Sequence, residues 1–321
     1  MRSGSLAVTA LVALAAGLPA QDRTQGSLKN EPELQPSPGA EREKESAPAP
    51  AERYDPRGEY VWHKGDKRRM VQSMKAEHLI TFLQRGKPVH VENKTDGFEL
   101  RILDHVTELA PGGWVRKIDR TYERVKDFAT GKEERRPRTV TMDFGGERVK
   151  VIRDEEELPP IVAEQLDSAE KRNLADFAYL FPEQATVEIG QEWEIPPAAV
   201  ARLWLLDEEQ LAAGESSCTG RLAARRTVKG VEQVKLVLNF RLRTKKLWGD
   251  SMEFDPPALM DWEIEVWSAA RGEHPDEECK LQGTLEGQAR LKSEKVPPDV
   301  KVQVKSTCAG TIKTSLVAAT R

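Results

Sequence analysis

In the run V-E-Q-V-K-L-V-L-N-F-R-L-R (231–243), Val234, Leu236, Leu238, Phe240 and Leu242 share one parity, and Lys235, Asn239, Arg241 and Arg243 the other. Alternation held this long predicts a strand with one dry and one wet face, because successive strand side chains point to opposite sides. The pattern returns at 261–267 through Trp262, Ile264 and Val266, and at 279–292 through Cys279, Leu281, Leu285, Ala289 and Leu291. It returns again at 300–316 through Val300, Val302, Val304, Cys308, Ile312 and Leu316. One-sided strands belong to antiparallel sheets, and turns such as Lys229-Gly230 and Val296–Asp299 predict a meander. The N-terminal half carries shorter versions at Tyr60–His63, Val71–Phe82, Phe98–Glu108, Trp114–Val125, Val140–Phe144 and Arg148–Arg153, broken by glycine-rich turns at 111–113 and 145–146.

Helical signals are few. Prolines open L-P-P-I-V-A-E-Q-L (158–166), where a first helical turn tolerates them. D-S-A-E (167–170) has the spacing of a capping box, with Asp167 or Ser168 as cap for a helix ending at Pro182. A third short helix follows Pro196-Pro197, with Val200, Leu203 and Trp204 as its buried stripe. The expected fold is therefore α+β and predominantly antiparallel β. Its long curved meander is open or half-barrel-like, with two or three short helices packed between halves at 58–155 and 187–321, joined by a helical connector at 156–186.

The first 57 residues read differently. Arg2 precedes an apolar run that ends in small residues near Ala20, the pattern of a signal peptide over 1–20 and too short for a membrane span. Residues 21–57, rich in Pro, Glu and Ala, bury too little surface to offset the entropy of ordering and read as a disordered spacer. The expected location is exported, periplasmic or extracellular, with no integral membrane segment after cleavage. A formal charge of −4 with mixed signs gives no reason to bind nucleic acid.

One segment stands out as a motif, V-E-I-G-Q-E-W-E-I-P (187–196). A two-residue Gly-Gln hairpin would pair Glu188 with Trp193 and Ile189 with Glu192, mixing acids and apolar groups on one face. An extended segment bent at Gly190, or a three-residue turn, fits better, with Gly190 and Trp193 as structural anchors. Together with Leu158, Pro159, Phe181, Pro182 and Pro196, the spacing Val187-x-x-Gly190-x-x-Trp193 resembles that of uncharacterised exported bacterial β-rich proteins in which this step precedes a C-terminal meander. In architecture the chain also resembles half-barrel carriers of lipoproteins and lipids in cell envelopes.

Catalytic signatures are sparse. There is no G-x-S-x-G elbow, no spacing that nominates a Ser-His-Asp set, and no glycine-rich phosphate loop, so neither catalytic nor cofactor residues are assigned. Zinc spacings such as H-x-x-x-H and C-x-x-C are also missing. The weak metal candidates are His63, His78, His90 and His105, which fall close together in sequence. H-P-D-E-E-C (274–279) reads as an acidic loop. Trp262 has core parity, Trp267 the opposite parity, and Trp248 a turn position.

If 279–292 and 300–316 form a hairpin with aligned apolar rows, Cys308 lies opposite Gly283 or Leu285 and cannot bridge to Cys279. In an oxidising setting Cys218–Cys308 is the favoured pair, with buried free thiols as the alternative. These readings point to a non-enzymatic binding, carrier or scaffold module of the envelope, taking an apolar ligand or an envelope protein. The alternative is an exported hydrolase using carboxylates or a histidine metal site.

Overall fold

The computed structural model describes residues 52–54, 62–111, 113–153, 157–184, 186–206, 208–228, 230–247, 252–270, 277–291 and 300–317. The expected signal peptide, nearly all of the expected spacer, Tyr60, Val61 and Trp248 lie outside them. Strands β1 (Arg53–Tyr54) and β8 (Val187–Glu188) form a small pair. A second sheet of twelve strands holds β2 (Lys67–Gln84), β3 (Lys87–Leu109), β4 (Val115–Asp127), β5 (Glu133–Glu134), β6 (Arg138–Asp143) and β7 (Lys150–Arg153). It also holds β9 (Glu192–Glu194), β10 (Ser217–Val228), β11 (Val231–Leu247), β12 (Met252–Ala269), β13 (Glu277–Leu291) and β14 (Val300–Val317).

The strand order is β7-β6-β4-β3-β2-β14-β13-β12-β11-β10-β9, with β5 beside β4, and the sheet does not close into a barrel. The α+β reading, dominated by an open antiparallel sheet, holds. Its two halves are one surface, because β2 pairs along its whole length with β14, from Lys67↔Val317 to Gln84↔Val300.

The parity read from sequence decides burial. Met70, Gln72, Met74 and Ala76 of β2 face inward, as do Leu236, Leu238, Phe240 and Leu242 of β11, and Val302, Val304 and Ile312 of β14. The β13–β14 hairpin takes the register that sets Gly283 opposite Cys308. One inner row then runs Cys218, Phe240, Trp262, Gly283, Cys308, Ala76 across six strands. Gly283 is required there, since a Cβ would overlap the indole of Trp262 lying over it.

The concave face is filled by helices. They are α1 (Pro160–Lys171), a 3₁₀ segment at Leu174–Leu180, and α2 (Pro197–Leu203). The expected cap at Asp167 or Ser168 is instead interior to α1. Asp167 and Glu170 are held by Arg153, and Glu170 also accepts from the Val151 backbone, so the acids pin α1 to β7. Asn173 takes the capping role by accepting from the Ala175 amide. The acids of 274–279 also differ from expectation, because Glu277 and Glu278 already belong to β13. Trp204 follows α2 and packs edge-on against Phe240 and tilted against Trp262, both in the sheet.

The 187–196 segment is a joint. Its two short strands pair with different partners, β8 with β1 and β9 with β10. Gly190, at φ +92°, donates to Leu222 O, and Gln191 N returns to Glu188 O at 3.1 Å. Trp193 lies over Gly220 and donates from Nε1 to Leu180 O at 3.0 Å, tying the helical layer to the sheet. Tyr54, on the spacer side of the expected boundary at 57, is buried with Val187, Leu222, Val234 and Ala270. Glu52, Arg53 and Tyr54, inside the expected spacer, are thus among the described residues, and Tyr54 closes this small core.

Gly283→Ala should cost about 1–3 kcal/mol through overpacking against Trp262. Chemical denaturation should show the loss, and Gly214→Ala, with open space at its Cβ position, should show little.

Candidate functional site

The four histidines do not converge. His63 is exposed beside Asp66, His90 is exposed near the β2–β3 turn beside Glu92, and His105 lies opposite Lys67 at the far end of β3. Among the described residues no three His, Cys, Asp or Glu side chains gather as a metal site would need. Strand pairing sets His78 and His90 well along the β2–β3 hairpin from His105, so closeness in sequence becomes distance in space.

The cysteines are corrected as well. Cys218, Cys279 and Cys308 are free and buried. Cys218 and Cys308 do share a lateral row, but Phe240, Trp262 and Gly283 stand between them. Four strand steps amount to roughly 19 Å, far beyond disulfide reach. Burial pushes each thiol up to about 12, so none is poised as a nucleophile.

His78 is the exception among the histidines. It sits mid-strand on the inner face of β2, with Ser306 of β14 directly across on one side and Lys94 of β3 on the other. Ser306 Oγ is 2.8 Å from His78 Nδ1, and Asp96 Oδ2 is 3.3 Å from His78 Nε2. An ionised carboxylate only accepts, so Asp96 holds the Nε2–H tautomer and leaves the Nδ1 lone pair towards the Ser306 hydroxyl. Burial lowers the imidazole below its ordinary value, with Asp96 acting against it and Lys94 with it. The neutral base is therefore the form present at neutral pH. From α1, Glu164 approaches Asp96, and partial burial followed by Asp96 and Asp167 raises its carboxyl.

This Ser-His-Asp relay was invisible in the sequence, since Ser306 lies 228 positions from His78 and only the β2–β14 pairing joins them. Inward parity at Ser306, in a row that also holds Val300, Val302, Val304, Cys308 and Ile312, was the one available signal, a small polar residue placed where a dry one belongs, and Thr314 in the same row gives that signal too.

The relay lies at an open corner of the concave face. Strand β4 ends at Asp127 opposite Phe98, so β3 from 87 to 96 has no strand on its outer side among the described residues. Ile80, Phe82 and Leu285 share the inner parity and remain half-buried. Leu285 faces Ser306 directly, and Ile80 follows His78 on the same face. Half-buried apolar side chains therefore border the polar group along one side.

A second polar cluster is structural. Arg68, Asp104 and Arg120 form one inner row across β2, β3 and β4. Arg120 grips Asp104 through Nε at 2.7 Å and Nη2 at 2.8 Å, Arg68 Nη2 lies 3.5 Å from the same carboxylate, and Trp62 stacks on Arg68. Burial alone would raise the Asp104 carboxyl, but Arg120 and then Arg68 outweigh it and hold it low. Glu277 completes the group at 3.8 Å from Arg68, and burial raises its carboxyl. In the helical layer, Arg172 Nε caps α2 by donating to Leu203 O at 2.7 Å. Burial with no acid beside it lowers this guanidinium to about 10, and its Nη1 and Nη2 have no partner among the described residues.

Outside the concavity, Trp267 is half-buried under the Arg226 guanidinium at 4.0 Å, a cation–π contact on the outer face. On β14 that face is wet, with Lys301, Gln303, Lys305, Thr307 and Lys313 exposed.

No family model matches the chain. No curated protein matches it. Among solved structures, one of lipovitellin, described for its lipid–protein interactions, aligns with 80% of this chain at 10% identity and a TM-score of 0.35. The chain spans a quarter of that protein's length. A Salmonella typhi OmpF complex with daunomycin aligns with 79% of this chain and 99% of the porin at 7% identity and a TM-score of 0.18.

Two measurements check these assignments. A thiol reagent should titrate three cysteines per unfolded chain without prior reduction, and none at a comparable rate in the folded protein. Asp104→Asn should cost about 3–5 kcal/mol, as expected when a buried pair loses one partner. Because the Asp104 pKa is depressed by folding, its contribution is complete above the ordinary carboxylate range and is lost as pH falls through the depressed value. The difference between wild type and D104N should therefore shrink on acidification.

Proposed function

We propose that this protein is an exported binding or carrier module for an apolar molecule bearing a polar head. The ligand sits at the open corner of the concave face. The carrying observation is the juxtaposition of half-buried Ile80, Phe82 and Leu285 with the polar group of Ser306, His78 and Asp96 on one inner face. Apolar walls with a few convergent polar groups are the usual make-up of a small-molecule site.

Elsewhere the concavity is closed by Trp204, Phe240, Trp262 and the helices, which restricts a ligand to this corner. Export is supported by the apolar run and small residues of 1–20 and by the resemblance around Val187, Gly190 and Trp193. The cell envelope is the compartment that fits both.

The test is displacement of a fluorescent fatty-acid probe, together with native mass spectrometry of the gently purified chain. Saturable probe binding is expected, and Leu285→Lys should weaken it about tenfold or more, since a charge would stand in the apolar border. Thermal unfolding should be measured in parallel to confirm that the variant folds. A folded wild-type chain that binds no probe and carries no amphiphile would overturn the reading.

A further inference from the structure

We propose that Ser306, His78 and Asp96 form a hydrolytic site for acyl esters, with Ser306 as nucleophile, His78 as general base and Asp96 orienting the imidazole. The inference deepens the binding reading and rests on it, since the apolar border would hold the acyl chain beside the serine.

The geometry carries it. The nucleophile and base are in hydrogen-bond contact at 2.8 Å, and a third group fixes the base from its other nitrogen at 3.3 Å. This is the arrangement that nucleophilic serine chemistry requires, wherever in the chain the residues come from. The three residues lie on three adjacent strands, β14, β2 and β3, in a continuous ladder, so their spacing is set by the sheet rather than by loops. Rigid placement of this kind favours precise alignment. Ser306 is 7% exposed, while His78 and Asp96 keep 17% and 19% of their side chains open towards the corner where β3 lacks an outer neighbour.

The reaction balances with water as the co-reactant. Ser306 Oγ attacks the ester carbonyl carbon while its proton passes to His78 Nδ1. The tetrahedral adduct collapses, the bond from carbon to the alcohol oxygen breaks, and His78 returns the proton to the departing alcohol. Water then attacks the acyl-serine with its proton taken by His78, releasing the carboxylic acid and restoring the hydroxyl.

The experiment combines a fluorophosphonate probe, p-nitrophenyl esters of increasing acyl length, and the fatty-acid displacement assay on the same folded protein. Expected results are stoichiometric labelling mapped to Ser306 by peptide mass spectrometry, and turnover that favours longer acyl chains. Ser306→Ala should abolish labelling and lower turnover by roughly 10³-fold, with thermal unfolding confirming that the variant folds. Asp96→Asn should lower kcat with little change in KM, which loss of binding alone would not do. Fatty-acid binding without labelling or turnover, or turnover unchanged in Ser306→Ala, would overturn the hydrolytic assignment and leave the binding reading standing. Absence of both binding and labelling would remove both.

Discussion

The pairing of β2 with β14 holds this molecule together. It joins the first and last long strands of the chain along their whole length, and so welds two sequence halves into a single twelve-stranded surface. Without it each half would expose an edge of about 18 residues, and long free edges are the part of a sheet most open to wrong pairing. The same ladder sets His78 beside Ser306 and Cys308 beside Ala76. The candidate site is thus a by-product of the contact that closes the fold.

A sheet this wide cannot leave its apolar concave face in water. The chain between β7 and β10 supplies the cover, and its attachments are mostly polar at the rim and aromatic at the centre. Arg153 and the Val151 amide hold the acids of α1, Trp193 reaches Leu180 O, and Trp204 fills the middle against Phe240 and Trp262. Buried charges centre on the row Arg68–Asp104–Arg120, where bidentate geometry offsets desolvation, with Arg172 buried separately in the helical layer. The cover reaches the relay through Glu164 of α1, which approaches Asp96, while Ile80, Phe82 and Leu285 nearby remain half-buried.

Much of this was readable from local pattern. Parity at 231–243, 261–267 and 300–316 gave the buried rows, and aligning two apolar rows gave the β13–β14 register with Gly283 opposite Cys308. Those inferences work because a strand's side-chain period is two and the faces differ in solvation, so one slipped residue would expose a whole row. Helix ends were less legible: a capping-box spacing at 167–170 lost to side-chain ties with β7, which keep α1 running to Lys171. The Cys218–Cys308 pairing failed for a related reason. Cys218 and Cys308 do occupy one lateral row, but a shared row says nothing about how many strands lie between.

The sequence by itself determined which residues face inward, that the sheet is antiparallel, and that a glycine-bent joint around Gly190 and Trp193 leads into the C-terminal strands. All of these follow from interactions between near neighbours and from the cost of wetting apolar groups. Only the tertiary structure decided which strands are neighbours, and with that which polar residues meet. Ser306, His78 and Asp96 come from β14, β2 and β3, and no local rule links a serine near one end of the chain to a histidine near the other. The four histidines show the converse: a cluster in sequence was drawn apart because strand pairing, not proximity along the chain, sets distance in a sheet.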